Sequence, residues 1–230
     1  MSAVKPGDIR VPSDASLYLD FEIATGQLEV ARDVLAAALD AAPVASVLIR
    51  PHPDPGAEAA STSATTRALL SLVQKRGIAA LVLADAAHAS QLGADGMHVP
   101  WTRDVVREFK ELRVVMAAAT IIGGDAGRSR DDAMQLGEAG ADYVAFGIPP
   151  HVEDRARAIE RQIDLISWWS QIFEVPCVAF DVADADQARR LAEAGADFIS
   201  VPLSSHDPMR DAVARVRAFS DALKVHEGSE

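Results

Sequence analysis

The sequence predicts a single (β/α)8 barrel, a TIM barrel, and three observations carry that prediction. A Gly-Ala-Asp turn occurs three times, as Gly93-Ala94-Asp95, Gly140-Ala141-Asp142 and Gly195-Ala196-Asp197. Each follows a helix-like run and leads into a short apolar segment. Spacings of 47 and 55 residues between the turns each fit two βα units at roughly 25 residues per unit, which places the turns before strands four, six and eight. The glycine reads as the left-handed stop after a helix. The alanine is small enough for close packing, and the aspartate can bond local backbone donors as the chain turns into the strand.

The remaining elements fall into place around those turns. Residues 1–16 carry Pro6, Gly7 and Pro12 with little periodicity and read as an N-terminal extension; residues 17–224 form the barrel and 225–230 a tail. Residues 17–21 read as the first strand, and Leu28, Ala31, Val34, Leu35, Ala38 and Leu39 recur at helical spacing. Residues 44–50 form a second buried strand, ended by Pro51, Pro53 and Pro55, which forbid helix or central strand. A helix over 62–75 is stopped by Gly77; a strand over 79–84 and a short helix over 87–92 follow. After the fourth strand, Thr102 reads as the N-cap of a helix ending near 112, and the fifth strand spans 114–122. Helices over 130–139 and 153–173 flank the sixth strand, and residues 176–180 form the seventh. Asp184 caps the seventh helix, and Asp207-Pro208 supplies the N-cap and first position of the last, which runs to about 223.

Composition bounds the function. The 230 residues are 49% hydrophobic and 24% charged, enough for one closed barrel. No apolar run reaches the ~20 residues of a membrane span, and the N-terminal stretch has no apolar signal core. The lone Cys177 lies in an apolar strand and reads as a buried inert thiol. These features predict a cytoplasmic protein. A net charge of −12 disfavours nucleic acid or an anionic membrane, while a small phosphorylated ligand needs only a local nest and one or two arginines.

In this fold chemistry sits just after each strand, on the βα loops, and the opposite face serves stability. The candidates are therefore Asp20 and Glu22, Arg50 and His52, Asp85, His98 and Trp101, residues 123–129, residues 147–151, Asp181, and residues 204–206. The three Gly-Ala-Asp aspartates are assigned to structure. His98 lies inside a strand, where a satisfied core histidine competes with a general acid or base. Asp85 reads equally as a helix cap or a metal ligand. Asp20, Glu22 and Asp181 can join it in an acidic cluster that favours a divalent ion or an amine over a phosphate. Trp168 and Trp169 read as one packing and one interface residue, which leaves a homodimer open. The Arg155, Arg157, Arg161 series reads as a solvated helix face.

Ala94-Asp95-Gly96-Met97-His98-Val99, residues 140–147, and the pairing of residues 176–180 with 194–201 resemble the thiamine phosphate synthase family and its thiazole tautomerase relatives. The resemblance runs from about residue 17 to 223. It implies a (β/α)8 barrel that joins hydroxymethylpyrimidine diphosphate to a thiazole phosphate with Mg²⁺. It also implies Asp85 as a metal ligand and Arg50 as the arginine of a diphosphate-binding strand. The same motifs show departures: Ala84 stands for the asparagine of the metal pair, Arg103 for the second metal-binding aspartate, and His52 for a lysine. Residues 124–129 replace a histidine-bearing segment, residues 149–155 replace the loop whose lysine touches the diphosphate, and Asp181-Val182-Ala183 replaces a glycine-rich phosphate cup. A carboxylate about 5 Å from a phosphate, at an effective dielectric near 20, costs roughly 3 kcal/mol, over a hundredfold in affinity.

Three readings of function follow. The first is a thiamine phosphate synthase-like protein whose parent reaction is weakened or lost; the second is a non-catalytic small-molecule binding protein on the same barrel; the third and weakest is another chemistry, such as an isomerase using His98 and Asp85. The expected site has Arg50, His98 and Arg128 as catalytic groups and Arg50, His52, Ser129, Ser204 and Ser205 as ligand contacts. Asp85 is the candidate Mg²⁺ ligand. A singly phosphorylated or mono-anionic ligand held by Arg50 and Arg128 is the expected occupant.

Overall fold

A computed structural model describes residues 15–23, 28–51, 59–83, 91–149 and 151–224. Its eight strands are β1 (Ser16–Ile23), β2 (Ser46–Pro51), β3 (Ala79–Leu83), β4 (Gly96–Val99), β5 (Ile121–Asp125), β6 (Tyr143–Phe146), β7 (Cys177–Ala179) and β8 (Phe198–Ser204). They pair in parallel and in sequence order, and β8 closes onto β1. The helices are α1 (Leu28–Leu39), α2 (Ala59–Gln74), α3 (Val105–Val115), α4 (Arg130–Glu138), α5 (Arg155–Ile172), α6 (Ala185–Glu193) and α7 (Met209–Leu223). This is the (β/α)8 barrel expected. The 87–92 helix falls mostly outside the described residues, as do residues 1–14 and 225–230. No helix among the described residues is long and apolar enough to cross a membrane.

Alternation along the strands makes two cores. Outward residues such as Leu19, Phe21, Val47 and Ile49 pack under the helices with the stripe Ala31, Val34, Leu35 and Ala38. Inward residues Tyr18, Leu48, Leu81, Tyr143, Ala145, Val178 and Phe180 fill the barrel interior. Cys177 is fully buried and its thiol donates to the Gly195 carbonyl at 3.8 Å. Trp169 is buried, with its indole N–H on the Val175 carbonyl at 2.7 Å; the half-buried Trp168 carries Arg130 over its ring.

The three repeated turns do the structural work assigned to them, by a route longer than local bonding. Gly93, Gly140 and Gly195 have φ of 73°, 85° and 102°, which an L side chain rarely adopts. Asp95 accepts from the Ala80 N–H at 2.9 Å, Asp142 from Ile122 at 2.8 Å and Asp197 from Cys177 at 2.8 Å. Each aspartate thus clasps the foot of the preceding strand to the foot of its own.

Several boundaries differ from expectation. Val114 and Val115 end α3 and are exposed, so β5 begins at Ile121 and runs through two glycines to Asp125. Helix amphipathicity, with Val105, Phe109 and Leu112 buried, outweighs the β-propensity of that valine pair. Thr102 accepts from the Asp104 N–H, and Asp104 occupies the N-cap of α3. Pro208 occupies the N-cap of α7, while Asp207 reaches back to the Ser204 N–H and to Arg215. Asp184 caps α6 as expected, accepting from Gln187 at 2.8 Å. Behind the ends of β6 and β7, the buried Gln162 donates to the carbonyls of Phe146 and Phe180 at 2.6 and 2.7 Å and accepts from Gln187 at 3.2 Å.

Candidate active site at the barrel mouth

Parallel pairing places Glu22 beside Arg50, and Asp20 lies two residues back on the same face of β1. Arg50 Nε donates to Asp20 Oδ1 at 2.5 Å and Nη2 to Oδ2 at 3.0 Å; Nη1 lies 3.6 Å from Glu22 Oε2. This fork is the bidentate geometry in which guanidinium and carboxylate bind most strongly. Burial opposes the charge on Arg50, but Asp20 and then Glu22 more than offset it and hold the guanidinium above its ordinary value. Burial likewise raises the Asp20 carboxyl, and Arg50 only partly counters it.

Across the opening, β5 ends in Asp125. Its Oδ1 accepts from the Gly127 N–H at 2.7 Å and the Gly147 N–H at 3.0 Å, which ties the loops after β5 and β6 together. Asp181, at φ 56°, accepts on Oδ2 from the Ile148 N–H at 2.7 Å. A Cβ at Gly147 would stand 2.6 Å from Asp125 Oδ2 and 3.0 Å from Asp181 Oδ2, so glycine there lets both carboxylates close on one stretch of backbone. Burial pushes the Asp125 carboxyl up to about 7 against the pull of its two backbone donors, and Asp181 adds to the rise.

The floor beneath is a chain of three buried polar rings. Tyr143 Oη lies 2.9 Å from His98 Nδ1 and 3.1 Å from Tyr18 Oη, and Phe180 stacks on the imidazole at 4.8 Å between centroids. Burial, with Arg50 adding to it, lowers His98 to about 3, so the imidazole is neutral near pH 7. It can share the Tyr143 proton and cannot act as an imidazolium acid there.

Comparison with known proteins bears on what this opening belongs to. The family model described as thiamine monophosphate synthase matches residues 23–203. The chain belongs to the thiamine monophosphate synthase family. It is 34% identical over 205 residues to the thiamine-phosphate synthase of Hyphomonas neptunium, covering 89% of this chain and 91% of that one. The Rhodospirillum centenum thiamine-phosphate synthase is 37% identical over 169 residues, 73% of this chain and 78% of the other. Among solved structures, thiamine phosphate pyrophosphorylase from Pyrococcus furiosus superposes with a TM-score of 0.68 at 18% identity, covering 94% of this chain and 99% of that chain. Mycobacterium tuberculosis tryptophan synthase gives 0.67 at 14% identity, covering 92% and 94%, so these structural likenesses speak for the barrel alone.

Within this thiamine monophosphate synthase barrel, the expected residues separate. His52 and Asp85 lie outside the described residues. Arg50 and His98 share the interior of the mouth, as above. Arg128 is exposed and lines a different cleft, whose walls do not include Arg50. Ser129 is the N-cap of α4, accepting from the Asp132 N–H at 3.1 Å. Ser204 Oγ accepts from the His206 N–H at 3.2 Å; the buried Ser205 donates its backbone N–H to the Glu22 carbonyl at 2.9 Å. Tyr143 gives little signal in the sequence, where it reads as one more apolar strand position; Asp125 lies within the candidate stretch 123–129 but ends β5 instead of standing in a loop.

The described residues show only part of the surroundings in which the family's Mg²⁺ is expected, since Asp85 lies outside them. No group of three or more His, Cys, Asp or Glu among the described residues is arranged to hold a metal ion. Asp20 is occupied by Arg50, Asp125 by two backbone donors and Asp181 by a third. Arg103, where the family's second acid would stand, is exposed on the turn before α3.

Proposed function

We propose that this chain is a thiamine phosphate synthase-like protein in which the coupling of hydroxymethylpyrimidine diphosphate to thiazole phosphate is strongly weakened or lost. The observation that carries this reading is the fork between Arg50 and Asp20, reinforced by Glu22. A guanidinium that binds a diphosphate must offer free N–H donors and uncompensated charge. Here the arginine is already neutralised, and Asp125 and Asp181 line the facing wall. Each carboxylate about 5 Å from a phosphate opposes binding by roughly 3 kcal/mol. An acid-lined opening of this kind favours a neutral or cationic heteroaromatic group over a diphosphate.

The deciding experiment is thiamine phosphate formation from the two substrates with Mg²⁺. Turnover at ordinary enzyme rates, roughly 1 per second or above, rejects the reading. Asp20→Asn provides the second arm: freeing Arg50 is expected to tighten diphosphate binding at least tenfold by calorimetry. No change on that substitution would show that the ion pair is not what blocks the anion.

A further inference from the structure

Among the described residues two carboxylates are buried, Asp20 and Asp125, each 9% exposed. Asp20 has both oxygens on Arg50. Asp125 places Oδ1 under two backbone donors and leaves Oδ2 with none. Arg113 Nε is the one side-chain nitrogen or oxygen among the described residues that is both sealed from solvent and without a partner, so Asp125 Oδ2 is open to what enters the mouth. A buried carboxylate with a bond unmade is costly, and a donor of opposite charge removes that cost.

A second carboxylate closes on the same place. Measured from where a Cβ on Gly147 would stand, Asp125 Oδ2 is 2.6 Å away and Asp181 Oδ2 3.0 Å, so the two oxygens lie within about 5.6 Å of each other, the sum of those distances. One ammonium nitrogen bonded to both at about 2.8 Å spans up to that separation. The arginines nearest in the chain's layout are committed elsewhere: Arg50 is forked on Asp20, and Arg128 lines another cleft. The backbone groups that meet these carboxylates, at Gly127, Gly147 and Ile148, are N–H donors and not the carbonyl oxygens that complete the shell of a hard metal ion.

We infer that Asp125 and Asp181 form a binding site at the barrel mouth for the primary ammonium group of a small molecule. This rests on the acid-lined opening of the function proposed above and names the group that the opening takes. An ammonium is a compact point charge with three donors, suited to two carboxylates that approach from separate strands. Burial, with Asp181 adding to it, raises the Asp125 carboxyl to about 7, and Tyr143 is the other titratable group coupled to it. A bound ammonium favours the ionised carboxylate, so binding expels a proton and tightens as pH rises from about 6 to about 8.

The test is an amide-resolved NMR titration of the full chain with n-butylammonium, set against 1-butanol, tetramethylammonium and Mg²⁺. The N–H groups of Gly127, Gly147 and Ile148 donate to the two carboxylates and report on the site directly. Saturable shifts of these three amides are expected with n-butylammonium, at a dissociation constant of about 1–10 mM. Asp181→Asn and Asp125→Asn are each expected to weaken it at least about tenfold, the loss of one charge-assisted bond. Asp181 is exposed and asparagine tolerates its left-handed backbone, so Asp181→Asn keeps the fold and decides the matter if Asp125→Asn does not. Asp164→Asn, at an exposed acid on α5, controls for overall charge and is expected to change nothing. The assignment is overturned by unmoved amides at about 50 mM n-butylammonium, by 1-butanol or tetramethylammonium binding as well, by Mg²⁺ taking the same amides more tightly, or by Asp164→Asn weakening binding as much as Asp181→Asn. Ordinary thiamine phosphate turnover alongside amine binding rejects the function proposed above and leaves the ammonium site standing; unmoved amides in a protein without turnover reject the site alone.

Discussion

The ring of Tyr143 lies directly over Gly123, so that a methyl group on that Cα would fall 2.0 Å from Tyr143 Cζ. Gly123 is therefore a packing residue of the barrel interior, holding open the space that Tyr143 needs to reach both Tyr18 and His98.

Gly123→Ala is expected to destabilise the protein by about 1–3 kcal/mol or more, the usual cost of overpacking a tight core. Combining it with Tyr143→Ala should cost less than the sum of the two single changes, because the second removes the clash created by the first. Urea denaturation of the single and double variants measures this; strict additivity would show that the two groups do not compete for space.

Asp125 makes stability depend on pH with a definite sign. Its carboxyl is raised to about 7 in the folded protein, against about 3.9 in an unfolded chain. Between those values the folded state binds more protons than the unfolded state, so stability falls as pH rises and the loss is complete above the folded value. The shift corresponds to at most about 4 kcal/mol. Asp125→Asn keeps an acceptor for Gly127 and Gly147 and should flatten the fall between about pH 4 and pH 7. Chemical denaturation across that range checks it, and an unchanged slope in the variant would assign the effect elsewhere.

Asp142→Ala and Asp197→Ala each remove a carboxylate from a backbone donor at the foot of the barrel. Each should cost about 1–3 kcal/mol, since the donor loses its partner. The two sites serve different strand pairs, so the losses should add within about 0.5 kcal/mol. Melting curves of the single and double variants decide this, and a neutral substitution at either site would remove that clasp from the account.

How much of this was legible beforehand depended on whether the signal was local. The glycines at 93, 140 and 195 each impose a backbone conformation within a few residues, and the repeat of that turn carried the fold. The limits of β5 were not legible because Val114 and Val115 fit a strand as well as a helix end, and only Val105, Phe109 and Leu112 packing under the same helix settles the matter. That displacement is why Asp125 reads as one residue of a loop when it is the last residue of the strand. Arg50 was recognisable as a mouth residue, but its pairing with Asp20 depends on the register of β1 against β2, which one sequence does not fix. Arg128 read as a mouth residue because it follows a strand; its side chain instead joins the α5 arginines at a separate cleft.

The amide of Gln162 bears on how the opening meets a ligand. By holding the Phe146 and Phe180 carbonyls from behind, and itself held by Gln187, it fixes the points from which the loops bearing Gly147, Ile148 and Asp181 depart. The ends of β6 and β7 are thus held before a ligand arrives, and less ordering entropy remains to be lost there on binding.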